Sequence, residues 1–369
     1  MAIVTLQQKP INRVRYSAGG GGSITDGQSV TITGTGFGTQ TVTQDFMGGV
    51  GNPVESASDN TMFTSLSYSA WNTYSDNAAH VSSTRAYTRN KSLNITYPTF
   101  SAFGLVRNLG TYKSLYSRQL IYLDSGATTT GQIKINRYVG VPTSTIPKSG
   151  DGSTNANGTV NANSVHEDGR LPNTLLHDFW SAPGSYLTLN YTGHPGDEPG
   201  FSANSLLQFN KWVLLETLFT PDSTVGAGDG TFQIRTVDPD NYATVYGNQT
   251  IGPRGFWASS DAAFEWFVVQ LYIGNGMQQT GVGIYLDPDH YISANAASGT
   301  APKYVLMGDA PTYAACTKFS ICQFTSWSNT SITFPANKGN LSSLNNGSAW
   351  AYPMSGINTP INTNGYTPT

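Results

Sequence analysis

Charged side chains are scarce in this chain: Asp, Glu, Lys and Arg make up 11% of its 369 residues, where about 25% is usual. Net charge is −3 and no Lys/Arg run occurs. Nucleic-acid binding needs a basic stripe to replace phosphate counterions, so it is disfavoured. No apolar run approaches the roughly 18–20 residues that span a bilayer, which argues against a membrane partner. The stretch from Met1 to Arg15 lacks the apolar core of a secretory signal, and export by that route is not expected. The chain contains 2 cysteines. Cys316 and Cys322 alone cannot build a tetrahedral zinc site, and they are expected as reduced thiols.

Aromatic residues are abundant instead, at 12%, with 20 Tyr and 16 Phe. Large apolar side chains offset ordering entropy, so low charge here does not mean disorder. Thr, Tyr, Phe and Val punctuated by 40 Gly and 19 Pro read as sheets joined by many turns. Alternating segments confirm the period of strands. They include Ser92–Tyr97, Ser117–Leu123, Gly131–Tyr138, Ser185–Tyr191, Trp212–Phe219, Gly230–Val237 and Phe264–Tyr272, each bounded by Gly, Pro, Asn or Asp. Helical spacing is confined to one short turn near Ala258–Phe264. The Gly/Ser/Asn stretch from Pro142 to Asn163 reads as a surface loop. Residues 1–22 read as an arm ending in the linker Gly19-Gly20-Gly21-Gly22.

Two segments carry family likenesses. Ile24-Thr-Asp-Gly-Gln-Ser-Val-Thr-Ile-Thr-Gly-Thr-Gly-Phe-Gly38 sets Val30 and Ile32 against Thr31 and Thr33, then bends through glycines around Phe37. It resembles the opening of IPT/TIG-type immunoglobulin-like domains. Phe324-Thr-Ser-Trp327 through Ile332-Thr-Phe334-Pro is similar to later strands of the same family. Between them, Gln132-Ile-Lys-Ile-Asn-Arg137, Lys211-Trp212 with Glu216, and Ile284-Tyr-Leu-Asp287 with Asp289-His-Tyr-Ile292 resemble the concanavalin A-like jelly roll. The expected fold class is therefore all-β: a jelly-roll β-sandwich inserted into, or flanked by, an Ig-like β-sandwich. The expected division is an arm and linker over 1–22, a first Ig-like part over 23–59, a jelly roll over 60–311, and a second Ig-like part over 312–369. If the two Ig-like parts form one domain, residues 28–38 must touch residues 324–352.

Catalytic strings are missing. Glycosidases on this sandwich need paired carboxylates about 5 Å apart for retention, on alternate residues of a strand; Thr236-Val-Asp238-Pro-Asp240 is broken by proline and Glu216 stands alone. Sandwich lyases use Gln-Ile-His, answered here by Gln132-Ile133-Lys134 without the histidine base. Gly-x-Ser-x-Gly, His-Glu-x-x-His and a phosphate loop are absent. The chain is expected not to be an enzyme and to need no cofactor. Calcium has weak candidates in Asp287 and Asp289, a hard-ion donor pair without a complete loop. Trp212 and Trp266, inside apolar strands, are expected in the core. Trp180 and Trp257, read as loop tryptophans, together with Tyr191, Arg137 and Gln132, are the expected glycan-binding residues. The resemblances imply a phage virion protein, a capsid decoration, fibre-like appendage or tail-associated adhesin, present in many copies on the virion surface after synthesis in the host cytoplasm. Its implied partners are other virion proteins and host surface glycans, with no nucleic acid and no membrane. A polysaccharide depolymerase and a bacterial carbohydrate-binding surface module are the alternatives.

Overall fold

The structure is a computed structural model. It describes residues 23–68, 71–74, 79–96, 103–124, 131–139, 174–182, 186–190, 201–204, 208–220, 223–224, 227–254, 264–273, 283–296, 299–345 and 347–366. The expected arm over 1–22, the loop from Pro142 to Asn163 and the turn at 258–263 lie outside these residues. The chain enters through β1 (Ser29–Thr33) and β2 (Val42–Phe46), then one four-residue helix, α1 (Pro53–Ser56). The central strands are β3 (Trp71–Tyr74), β4 (Ala79–Ser82), β5 (Ser92–Thr96), β6 (Phe103–Tyr112), β7 (Ser114–Leu123), β8 (Gly131–Val139), β9 (Thr174–Ala182) and β10 (Tyr186–Asn190). They continue with β11 (Phe201–Asn204), β12 (Trp212–Thr220), β13 (Gly230–Asp238), β14 (Asn241–Arg254), β15 (Phe264–Ile273), β16 (Gly283–Leu286) and β17 (Tyr291–Asn295). The chain closes through β18 (Tyr304–Gly308), β19 (Phe319–Cys322), β20 (Ser326–Trp327), β21 (Ser331–Pro335) and β22 (Trp350–Met354). All named strand pairs are antiparallel.

Four sheets stack in layers, and alternation along the strands explains how. The seven-stranded sheet runs β11-β10-β9-β8-β15-β6-β3, and a nine-stranded sheet is built on β14-β13-β12-β7-β16-β5-β4. Leu105 and Leu109 of β6 meet Leu115, Ile121, Val213 and Leu215 of the nine-stranded sheet in one apolar core. Side chains one residue out of step, Tyr116, Leu120, Leu214 and Leu218, face the other way and pack on Tyr304, Leu306 and Tyr352. Those belong to the three-stranded sheet β19-β18-β22. Its opposite face, with Val305, Met307 and Cys322, closes a third core with Val30, Ile32 and Phe334 of sheet β1-β21-β20 and with Phe37 from the bend after β1. Period-two alternation thus lets every middle sheet serve two cores. The result is an all-β jelly-roll sandwich carrying a small two-sheet unit on its back.

The required contact between the chain ends is present. Ser29 to Thr33 pair with Pro335 to Ser331 in register, with Val30 opposite Phe334 and Ile32 opposite Ile332. Phe37 fills the centre, fully buried and edge-on to Tyr366 at 5.5 Å. Two strands cross the expected boundaries: β2, within 23–59, pairs with β17, and β18, within 60–311, is the middle strand of the small sheet. Helix is minimal because its signals are local only. At α1 the Asn52 side chain accepts from the Glu55 backbone N–H at 3.0 Å and Pro53 opens the first turn, but no apolar stripe follows. Cys316 and Cys322 are free and buried; burial pushes their thiols up to about 11 and about 12.

Candidate functional site

The face of the seven-stranded sheet that turns away from the core is defined by register. Leu105 is buried in the core and pairs with Val269, so their shared face is the inner one. Val268, one residue earlier, belongs to the outer face and pairs with Arg137. Cross-strand partners share a face at about 5 Å spacing. Gln132 is the partner of Trp180, Lys134 of Asp178, and Arg137 of Leu176. Leu176, Asp178 and Trp180 alternate along β9, which confirms that all six positions are on one side. Tyr272 of β15 is the partner of Lys134 from the other flank. By register alone, positions 132, 134, 137, 178, 180 and 272 of three adjacent strands fall on the face opposite that of Leu105.

Strict alternation would put Arg137 opposite to Gln132 and Lys134, because 137 is odd. A register shift between Lys134 and Asn136 on β8 adds one residue there. Such a bulge flips the side-chain phase downstream and returns Arg137 to the outer face. Of the expected glycan-binding residues, Gln132, Arg137 and Trp180 are thus brought together. Trp180 is in strand β9 and not in a loop, because Leu175, Phe179 and their neighbours pair with β8 along its length. Tyr191 and Trp257 lie outside the described residues. Asp178 was not singled out by sequence, because β9 shows no alternation that would have marked it; Lys134 stood in the Gln132-Ile133-Lys134 string and Tyr272 among the strand aromatics, neither assigned to glycan binding.

Residue types of this kind are chemically suited to polyhydroxylated chains. An aromatic face carries negative quadrupole charge and accepts the C–H face of a sugar ring. Gln132 offers donors and an acceptor to hydroxyls. Arg137 supplies a planar fork suited to carboxylates, and Lys134 a compact charge.

Glu216 has the opposite fate. It is fully buried on the back of the nine-stranded sheet, where Tyr116 donates to it at 2.8 Å, Tyr242 at 2.6 Å and Arg235 at 3.2 Å, with Arg118 at 3.5 Å. Arg118 also donates to the Phe319 carbonyl on β19 at 2.6 Å, and Tyr116 stacks on Tyr304 at 3.7 Å. Burial, then the Glu216 charge, pushes the Tyr116 and Tyr242 phenols well above their usual range. Every partner is satisfied, so the carboxylate ties the small unit to the sandwich rather than meeting a ligand. Trp212, expected in the core, is half-buried on this same back face beside Tyr122 at 5.6 Å and Tyr87 at 6.0 Å.

The calcium candidates are used internally. Asp287 and Asp289 are buried. Asp287 accepts from the Thr88 backbone at 2.9 Å, from the Thr88 hydroxyl, and from the Asp289 backbone at 2.9 Å. Asp289 accepts from Asn337 at 2.8 Å and Gly49 at 3.3 Å. Among the described residues no group of three or more His, Cys, Asp or Glu side chains is placed to hold a metal. His290, just before β17, is buried edge-on to Trp71 at 5.1 Å, and burial lowers it to about 3.

No protein-family model matches the sequence, and no curated protein matches it. Solved structures give partial likenesses. Alginate lyase vAL-1 from Chlorella virus is 11% identical over 61% of this chain and 93% of that one, with a TM-score of 0.40. A carbohydrate esterase from Shiga toxin-encoding bacteriophage phi24B is 14% identical over 61% and 90%, at 0.35. Winged bean acidic lectin, solved with methyl-α-D-galactose, is 11% identical over 62% and 94%, at 0.38. Scores of this size carry no functional inference.

Proposed function

We propose that this chain is a non-enzymatic glycan-binding protein of a phage virion surface. Its jelly-roll sandwich presents the outer face of the seven-stranded sheet, and an Ig-like unit of IPT/TIG type, assembled from both chain ends, mounts it on other virion proteins. What supports the binding reading is the strand register, which assigns positions Gln132, Lys134 and Arg137 together with Asp178, Trp180 and Tyr272 to one face of three paired strands. Cationic residues beside an aromatic row suit an acidic host polysaccharide. Weak single sites gain from many copies on one particle, because each further contact becomes intramolecular.

Titration against host-surface polysaccharide, with new chain ends counted in the same tube, tests this. Saturable binding without new ends is expected, and Trp180→Ala is expected to weaken it about tenfold, the effect of losing roughly 1–1.5 kcal/mol. Absence of binding by wild type contradicts the proposal. A depolymerase is the second reading, favoured by the register that makes Tyr272 the cross-strand partner of Lys134, a tyrosine and a lysine position on the strand that also carries Gln132 and Arg137. Appearance of new chain ends, abolished by Tyr272→Phe, establishes that reading instead.

A further inference from the structure

A second concave site lies where the small unit meets the sandwich, away from the seven-stranded sheet. It is a groove of about 480 Å3, lined among others by Asp26, Phe46, Gly48, Gly49, Val50 and Gln323. That volume falls in the roughly 300–1,000 Å3 range of small-molecule sites. We propose that this groove binds a neutral saccharide unit.

The floor of the groove is formed by glycine. Gly48 and Gly49 bring bare backbone to the groove. A Cβ on Gly48 would lie 2.1 Å from Asp289 Oδ1, so the carboxylate packed behind it excludes any side chain there. Gly49 has φ +86°, a conformation that favours glycine. Walls of opposite character flank this floor. Phe46 is half-buried, and Val50 is 58% exposed, which together give an apolar surface for the C–H face of a ring. Asp26 and Gln323 supply polar edges. The Gln323 amide makes one long contact, 3.5 Å to the Gln44 carbonyl, which leaves capacity for ligand hydroxyls.

Charge selects within the sugar class. Asp26 is the charged residue of the lining, and the buried carboxylate of Asp289 stands behind it. Both Asp26 oxygens are already engaged, one by the Arg89 guanidinium and one by the Lys338 backbone N–H, so the wall offers no unpaired cation to a sugar carboxylate and suits an uncharged unit. The wall is also held in place: Asn337 bridges Asp289 at 2.8 Å and the Ile321 carbonyl at 3.0 Å, Arg89 reaches both Asn337 and Asp26, and the Lys338 backbone donates to Asp26 at 2.8 Å. A preformed polar site loses little entropy when it is filled. Its preference is opposite to that of the cationic outer face, and the inference does not depend on that face being functional.

Isothermal titration of the full chain with D-galactose, D-glucose, lactose and cellobiose, with D-glucuronic acid in parallel, tests the assignment. At least one neutral sugar is expected to saturate and D-glucuronic acid to bind at least tenfold more weakly. Gln323→Ala is expected to weaken the neutral sugar about tenfold, the size of one to two lost hydrogen bonds. Val50→Trp, at an exposed position, is expected to block it while the protein melts as wild type. Arg137→Ala is expected to leave it unchanged. The proposal is overturned if no neutral sugar saturates, if Val50→Trp binds as well as wild type, or if Arg137→Ala abolishes binding, which would move the sugar to the outer sheet face.

Discussion

Single residues decide how this molecule handles charge, because it has so little of it. Glu216 is the clearest case: one carboxylate satisfies two phenols and two guanidinium groups between sheets. Sequence placed it on a strand between leucines and could not say which sheet face it served, since the partners come from β7, β13 and the start of β14. Asp287 is the residue with a measurable pH signature. Burial, reinforced by the neighbouring Asp289 charge, raises it from 3.8 to about 7. The folded state therefore holds a proton that the unfolded chain has released above about pH 4. Stability from this group is fully present below that point and is lost as pH rises towards 7. His290, lowered to about 3 by burial, contributes the opposite slope over much of this window, so the Asp287 signal is read as a difference. In chemical denaturation the wild-type midpoint is expected to fall relative to that of Asp287→Asn between pH 4 and 7. A wild-type midpoint that stays level or rises relative to the variant's across that range would contradict the assignment.

At the scale of elements, strands with clean alternation were legible and those without it were not. β12 begins at Trp212, as read, and β8 at Gly131, because β-branched and aromatic residues alternate between turn residues there. β6 and β9 escaped notice: Phe103–Tyr112 contains two glycines, and Thr174–Ala182 reads Leu-Leu-His-Asp-Phe-Trp without a period. Strand order is also invisible in sequence, since β8 pairs with β15 over more than a hundred intervening residues. The bulge in β8 is the element on which the outer face depends. Deleting Ile135 removes the extra residue and leaves Lys134, Asn136 and Arg137 in strict alternation, with Arg137 still on the face of Lys134. The deletion is therefore expected to keep polysaccharide affinity near wild type, whereas Arg137→Ala lowers it. Loss of affinity as large as that of Arg137→Ala in a folded deletion variant would show that the bulge does more than set the phase of Arg137.

Across the whole molecule, four sheets share three cores, so the sandwich and the small unit are joined by packing as well as by chain. The pairing of β1 with β21 links residues 29–33 to 331–335, and the glycine-rich bend around Phe37 together with the Ile-Thr strand at Ile332 made that closure readable. The layer between, where β18 carries Tyr304 and Leu306 to the sandwich and Val305 and Met307 to the small unit, was not readable, because an all-apolar strand does not declare which core owns each face. This stacking covers the back of the nine-stranded sheet and leaves the outer face of the seven-stranded sheet turned away from all three cores. Hydroxyl-radical footprinting with and without host-surface polysaccharide tests that face most directly. The account predicts that bound polysaccharide protects Trp180 and Tyr272 from oxidation while Trp212, on the back, is unchanged. Saturating polysaccharide with undiminished oxidation at both Trp180 and Tyr272 would contradict it.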